Sequence, residues 1–473
     1  MKILFAVSEA VPFKKTGGLG DVAGALPKEL KLLGNDARII MPLYQDIPQH
    51  FRDIMVFKGA TFVELAWRKQ YCGVFEAAYD GVVYYFIDNE YYFKRSAAYG
   101  HFDDGERFAY FARAVLESMR VTGFYPDILH CNDWQTALCP VFLDVFFRSC
   151  EDYKKIKTVY TIHNIEFQGK YDRSIAGDVL GLSPAASLLV EYSGNVNYMK
   201  GGIESSSVVT TVSGKYAEEI LDPFYGYGLS GILRARKYKI RGILNGIDTK
   251  INSPERDSAL FVNYGYDTLA KKKENKKQLA EMLNLPYAPN KPLIAMVTRF
   301  TEQKGMDLVS ARIERILEGD LQMVLLGTGD WKYETKIHDL NKRYGKKFCG
   351  LVSFNPDLSS KLYGGADIFL MPSKFEPCGL SQMIAMAYGT VPVVRATGGL
   401  ADTVEPYNPL TKQGVGFTFL TYDADDMLDA VWRAVDAFYN DEKGWKQIQK
   451  NGMSKDFGWA SSAKEYVKLY ESL

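Results

Sequence analysis

Three turns in this chain, punctuated by glycine and proline, carry the residue types that hold a phosphorylated ligand. The first is Lys14-Lys15-Thr16-Gly17-Gly18-Leu19-Gly20-Asp21, between an apolar run and the helix-period stretch 22–33. Glycines at a strand-to-helix turn let backbone amides approach a phosphate, and a helix N-terminus favours negative charge. The G-x-G-x-x-G spacing of a dinucleotide site is absent, and no Gly-Lys-Ser/Thr follows as in a P-loop. A tight turn with Asp21 as helix cap explains the same residues about as well.

The second turn is Val297-Thr298-Arg299-Phe300-Thr301-Glu302-Gln303-Lys304-Gly305. An Arg fork and a Lys point charge at one strand end suit a diphosphate and can neutralise it as it leaves. Two surface cations are the plainer explanation. The third is Pro372-Ser373-Lys374-Phe375-Glu376-Pro377-Cys378-Gly379-Leu380-Ser381-Gln382, followed by a helix over 380–388. Amides around Gly379–Gln382 would face an anion, and Glu376 can accept from sugar hydroxyls. Glu376 as a solvated loop acid is the alternative. Met383 and Met386, at i and i+3, read as core.

These turns need strands and helices to position them, and the apolar pattern supplies both. Short apolar or β-branched runs occur at 2–8, 37–43, 82–88, 127–132, 157–162, 208–212 and 240–244, with helix-period stretches such as 22–33 and 106–119 between them. A charged region at 252–291 intervenes. The pattern then restarts at 292–300, 323–327, 348–354, 367–372 and 391–396. Continuous apolar strands alternating with helices predict mostly parallel sheets covered on both faces. The chain is α/β with two Rossmann-like, doubly wound halves, whose ligands are expected at the carboxyl ends of the strands.

Bulk properties narrow the function. The 473 residues are too many for one ordinary core, and 47% apolar with 14% aromatic content excludes a disordered chain. Lys plus Arg equals Asp plus Glu at 57 each, so no broad basic footprint for nucleic acid or an anionic membrane exists. The densest basic cluster, Lys271-Lys272-Lys273 with Lys276 and Lys277, reads as a solvated helix face. The first apolar run stops at Glu9, which favours a buried strand over a signal peptide, and no run approaches the ~18 apolar residues of a membrane span. Six cysteines without CxxC spacing suit a reducing cytosol, and five histidines without ligand spacing make a zinc site improbable.

Taken together, the motifs resemble those of the bacterial glycogen synthase and plant starch synthase family. Lys15-Thr16-Gly17-Gly18-Leu19 matches its KTGGL turn. His130-Cys131-Asn132-Asp133-Trp134, Thr161-Ile162-His163-Asn164 with Gln168-Gly169, and Asn245-Gly246-Ile247-Asp248 follow in the family's order. Arg299 with Lys304, Glu376-Pro377-Cys378-Gly379-Leu380 and Thr397-Gly398-Gly399-Leu400-Ala401-Asp402 complete the match, which runs from Met1 to about Trp459. Each motif alone is weak; the ordered set is specific.

The resemblance implies the GT-B fold: domains at 1–243 and 244–457, with a C-terminal helix at 458–473 returning to the first domain. It implies a cytosolic, retaining transfer of glucose from ADP-glucose to the non-reducing end of an α-1,4-glucan, with no cofactor and no metal. Glu376, His163, Arg299, Lys304 and Asp133 would be catalytic. Lys15, Gly17, Gly18, Asp21, Tyr99, Asn245, Phe354, Cys378, Gly379, Leu380 and Ser381 would bind substrate. Without the resemblance, His163 reads as a structural residue, Tyr99 as one of 31 tyrosines, and Asp133 as a helix cap. Two departures stand out: Ile384 occupies the place of a second Glu found in many retaining GT-B enzymes, and Phe354 replaces a Tyr that stacks on the base. No nucleic-acid or membrane partner is implied, and homo-oligomerisation is left open. Three rivals remain: a pyridoxal-phosphate phosphorylase, a UDP-glucose transferase, and a non-catalytic glucan-binding scaffold.

Overall fold

Ile3, Leu4, Phe5 and Ala6 are all buried, a continuous apolar run that fits only a strand covered on both faces. A computed structural model describes residues 1–473 and places this strand, β1 (Lys2–Ala6), in the middle of a nine-stranded sheet. The chain divides into two compact units: Met1–Asn245 with Trp459–Leu473, and Gly246–Gly458. No helix is long and apolar enough to cross a membrane.

In the first unit, β1 is joined by β2 (Asp36–Pro42), β3 (Val56–Leu65), β4 (Arg68–Tyr79), β5 (Val82–Asp88), β6 (Ile128–Asn132) and β7 (Lys157–Ile162). A three-stranded sheet of β8 (Lys170–Tyr171), β9 (Glu191–Tyr192) and β10 (Asn195–Asn197) stands apart, and β11 (Val208–Thr211) and β12 (Ile240–Gly242) return to the large sheet. Its order is β12-β11-β7-β6-β1-β2-β5-β4-β3. The pairs from β12 to β5 are parallel, and β5-β4-β3 run antiparallel. Strand order reverses at β1, between β2 and β6, so the crevice at their carboxyl ends is the expected ligand site of this sheet. The helix Trp459–Glu471 belongs to this unit and packs on the helix Gly18–Leu32. The Ser462 hydroxyl on it donates to the Leu244 carbonyl at 2.6 Å.

The β3–β4 hairpin lies outside the sequence-predicted elements. Its wet face carries Phe57, Phe62 and Tyr71, so it shows neither a continuous apolar run nor clean alternation.

The second unit holds β13 (Leu293–Val297), β14 (Gln322–Gly327), β15 (Phe348–Val352), β16 (Ile368–Met371), β17 (Val391–Arg395) and β18 (Phe417–Phe419), all parallel, in the order β15-β14-β13-β16-β17-β18. Alternate residues of β13 feed two cores: Ile294 and Met296 one, Leu293 and Ala295 the other. Here the order reverses at β13, between β14 and β16.

The lysine cluster departs from the sequence reading. Lys271, Lys273 and Lys277 are exposed on the helix Lys272–Met282 or at its start, but Lys272 and Lys276 are buried. Lys272 Nζ donates to the carbonyls of Tyr363 (2.8 Å), Gly364 (3.0 Å) and Tyr388 (3.1 Å) and to Thr390 Oγ1 (2.6 Å). Burial pulls the Lys272 ammonium down to about 7, against which these acceptors favour the charged form. Lys276 pairs with Asp367 at 2.7 Å. The two cations thus tie this helix to the end of the helix Pro356–Gly365 and to the turns that enter β16 and β17. Lys272→Met would remove the charged donor from this buried polar cage, leaving the three carbonyls only the Thr390 and Tyr264 hydroxyls, and should cost about 2 kcal/mol or more in urea unfolding, whereas Lys273→Ala should stay within ~0.5 kcal/mol. Equal effects would contradict this role for Lys272.

Candidate functional site

In the second unit the chain leaves β13 at Thr298 and turns through Glu302–Lys304 into the helix Met306–Glu318. Lys304 Nζ lies 2.9 and 2.7 Å from the two carboxylate oxygens of Glu376, in the loop after β16. Ser373 Oγ donates to the same carboxylate at 3.0 Å. Glu376 is only 6% exposed. It is therefore no solvated loop acid: burial of its charge is compensated by an ammonium and a hydroxyl.

Glycines let this loop close-pack. A Cβ on Gly398 would lie 2.0 Å from the Glu376 carbonyl, and one on Gly399 1.9 Å from the Cys378 carbonyl. The Gly399 amide donates to the Glu376 carbonyl at 3.1 Å. Gly379 has φ 72°, left-handed backbone that favours glycine, and turns the loop into the helix Ser381–Ala387. Buried Gln382 Nε2 donates to the carbonyls of Cys378 (3.2 Å) and Gly379 (2.9 Å) and to Thr403 Oγ1 (3.1 Å), which braces the turn. Met296, Val297, Thr298, Lys304, Ser373, Glu376, Gly379, Leu380 and Ser381 line one recess. Cys378 is buried. Arg299 is exposed, with its guanidinium on Gln303 Oε1 at 3.2 Å. Phe354, two residues past β15, is 87% exposed.

In the first unit a second cluster forms at the carboxyl ends of β1, β6 and β7. Buried Glu9 follows β1, and its carboxylate accepts the Thr16 amide and hydroxyl and the Gly17 amide, the last at 3.1 Å. The Gly17 amide is thus engaged within the protein, and the amide-approach expectation for this turn shifts to the helix start at Gly18. Asp21 is not the helix cap. Gly17 holds that place, while Asp21 sits in the first turn and pairs with exposed Lys15 at 2.7 Å. Tyr99, half-buried, shares a 2.7 Å hydrogen bond with Ser8. Asn245 is buried, and its side-chain oxygen has no partner.

Asp133 does not cap a helix with its side chain. The cap position is Asn132, and Asp133 has φ 55°, left-handed backbone uncommon outside glycine. Its carboxylate accepts the amides of His163 (2.8 Å) and Asn164 (3.4 Å) instead. Burial raises the Asp133 carboxyl to about 7, while those two amides oppose the shift. His163 is half-buried, and its Nε2 lies 2.9 Å from Asn132 Oδ1. Burial holds the His163 imidazole neutral, down to about 4, with the Glu9 charge acting the other way.

Within the second unit the structure thus brings together Lys304, Glu376, Gly379, Leu380 and Ser381. Within the first it brings together Asp133 and His163, and separately Lys15 and Asp21. Glu9, Ser373, Asn132 and Gln382 were missed as contributors. Three of them lie inside the quoted motifs, and Glu9 ends the first apolar run, where an acid after a buried strand was the available signal. No group of three or more His, Cys, Asp or Glu side chains is placed to hold a metal ion.

The native Asp133 carboxyl keeps its proton up to about 7, whereas the unfolded chain releases it near the ordinary 3.8. Between those values the native state binds the extra proton, so this group's contribution to stability falls as pH rises. Asp133→Asn keeps an acceptor oxygen without the charge. The variant should gain stability relative to the parent as pH rises from mildly acidic to neutral, measured by urea unfolding. Parallel pH profiles would contradict the buried-carboxyl assignment.

The family model described as "Starch synthase catalytic domain" matches residues 2–235, and "Glycosyl transferases group 1" matches 277–454. A glycogen synthase of Anoxybacillus flavithermus is 49% identical over 100% of this chain and 98% of its own. One of Bacillus anthracis is 50% identical over 100% of both. Among solved structures, the catalytic domain of starch synthase IV from Arabidopsis thaliana, bound to ADP and acarbose, superposes with TM-score 0.91 at 33% identity, covering 100% of this chain and 99% of that one. A sucrose-phosphate synthase from Thermosynechococcus elongatus shares the fold at TM-score 0.61 and 17% identity, covering 99% of this chain and 98% of its own. Two parallel-sheet units of the GT-B type, the glycine-braced Lys304–Glu376 recess and full-length similarity near one half place this chain in the glycogen synthase family.

Proposed function

We propose that the chain transfers glucose from ADP-glucose to the non-reducing end of an α-1,4-glucan, with retention at the anomeric carbon. The observation that carries this reading is the Lys304–Glu376 pair, set at the switch point of a sheet in a chain similar over its whole length to glycogen synthases. The ADP and acarbose in the starch synthase IV structure support an ADP-sugar donor and a glucan-like acceptor.

An ammonium has three donors, and Glu376 engages at most two of those on Lys304. The third, with the Arg299 fork and the amides opening the helix at Ser381, would hold the donor diphosphate. Glu376 and the Cys378–Leu380 backbone would accept and orient the glucose hydroxyls, and the exposed Phe354 ring would stack on the base. From the first unit, Lys15, Gly18 and Asp21 would act on the donor. His163, Asp133, Tyr99 and Asn245 would act on the glucose and acceptor.

In the step itself the bond between the anomeric carbon and the diphosphate oxygen breaks. A bond from the glucan 4-hydroxyl oxygen forms on the same face, and the hydroxyl proton passes to the departing phosphate oxygen. The charge on that phosphate is what the fixed cations stabilise, and positioning supplies much of the rest. The six free cysteines support a reducing compartment, the cytosol.

Incubation with glycogen and labelled ADP-glucose or UDP-glucose should give incorporation from the ADP sugar in clear preference. Preference for UDP-glucose would overturn the donor assignment, and no incorporation from either would overturn the transfer. Lys304→Ala and Glu376→Ala should each lower kcat by at least ~10²-fold while the protein stays folded, the size expected for one preorganised electrostatic group. Near-normal turnover in both would remove the recess from the reaction.

A further inference from the structure

The strand end that holds His163 does so through two consecutive residues with different tasks. Asp133 takes the His163 backbone amide, and Asn132 takes the ring. Asn132 is buried, and its side-chain amide is oriented without ambiguity by its surroundings. Nδ2 faces two carbonyls, Ala6 at 3.2 Å and His130 at 3.3 Å, which only a donor satisfies. The atom facing His163 Nε2 at 2.9 Å is therefore Oδ1, an acceptor. It follows that Nε2 carries the hydrogen. In a neutral ring Nδ1 is then a bare lone pair, and it makes no hydrogen bond within the protein.

We infer that Asn132 is a positioning residue that fixes His163 as the Nε2–H tautomer, so that Nδ1 is offered as an acceptor to a hydroxyl of the transferred sugar. This rests on the glucosyl-transfer reading and adds the direction of one hydrogen bond: the sugar donates and the imidazole accepts. The titratable groups around the ring are Glu9 after β1, Asp133 beside Asn132, and His130 on β6. His130 is itself engaged, through Nδ1 with the Tyr470 hydroxyl at 2.7 Å and through Nε2 with Thr161 Oγ1 at 2.6 Å, so β6 is braced from the C-terminal helix to β7. Asn132 is thereby seated on a strand with little freedom to turn. The arrangement discriminates by chemistry, because a sugar analogue with fluorine in place of the donating hydroxyl has no hydrogen to give to Nδ1.

The full chain, labelled with ¹⁵N only at histidine, tests this directly. His163 is assigned by the signal lost in His163→Gln, and its two ring nitrogens are read at neutral and mildly alkaline pH. The expected spectrum has Nε2 protonated and Nδ1 bare. A protonated Nδ1 would overturn the proposal whether or not the protein transfers glucose. Asn132→Asp keeps an acceptor beside Nε2 but adds a negative charge, which favours the imidazolium. Glucosyl transfer in that variant should acquire an acid-side fall whose midpoint coincides with the His163 titration seen in its spectrum. Asn132→Leu removes the acceptor and should lower kcat by about tenfold, the worth of one oriented hydrogen bond. Transfer that stays constant while His163 of Asn132→Asp titrates would overturn the role of Nδ1. Should either variant fail to fold, the spectrum of the unaltered chain still decides the tautomer. A correct tautomer in a protein without any transfer activity would overturn the glucosyl-transfer reading and with it the sugar contact, leaving the Asn132 assignment confirmed.

Discussion

Burying the charge of Glu376 is the constraint from which the second unit's chemistry follows. A carboxylate at 6% exposure is tolerable only when paired, and Lys304 meets both its oxygens while Ser373 adds a hydroxyl. That pairing has a price in sequence. The loop after β16 must lie against the loop after β13, which requires Gly305 beside the Pro372 carbonyl, and against the loop after β17, which requires glycines at 398 and 399; a Cβ at any of the three would strike a carbonyl. It also requires a left-handed turn at Gly379. The result is a cation fixed before any ligand arrives, with a donor left over for an anion. Preorganisation of this kind acts on developing charge without reorienting at the moment of reaction.

The first unit solves a related problem by different means. Asp133 sits in left-handed backbone beside a neutral imidazole, and its carboxylate holds two main-chain amides rather than a cation. Glu9 likewise spends its charge on the turn at Thr16 and Gly17. Both acids act on loop shape. Lys15 and Asp21 remain near the surface, where an ion pair contributes little to stability. Each sheet places its cluster at the carboxyl ends of strands flanking a reversal of order, the position where such sheets leave an open crevice.

Much of this was legible in the sequence because parallel strands buried on both faces leave continuous apolar runs. The runs at 82–88 and 157–162 reappear as β5 and β7 without change, and most others shift by a residue or two. The β3–β4 hairpin was not legible, since its wet aromatic face imitates neither pattern, and β18 lies outside the apolar runs read from the sequence. Motif residues stood out by type, but their partners did not. Nothing local distinguishes buried Lys272 from exposed Lys273, because the cage of carbonyls comes from residues about ninety to one hundred and twenty positions away. The same holds for Asn132, whose orientation depends on carbonyls of β1 and β6. Residue chemistry can be read from spacing; the direction of a hydrogen bond needs the fold.

The central claim is that Lys304, held by Glu376, supplies its charge to a diphosphate. Titration calorimetry of ADP and AMP with the unaltered chain and with Lys304→Ala tests it most directly. The expected result is ADP binding tighter than AMP in the unaltered chain, and a loss of about tenfold or more for ADP with little change for AMP in the variant, in keeping with one charge-assisted hydrogen bond. Equal losses for the two nucleotides, or none for ADP, would contradict it.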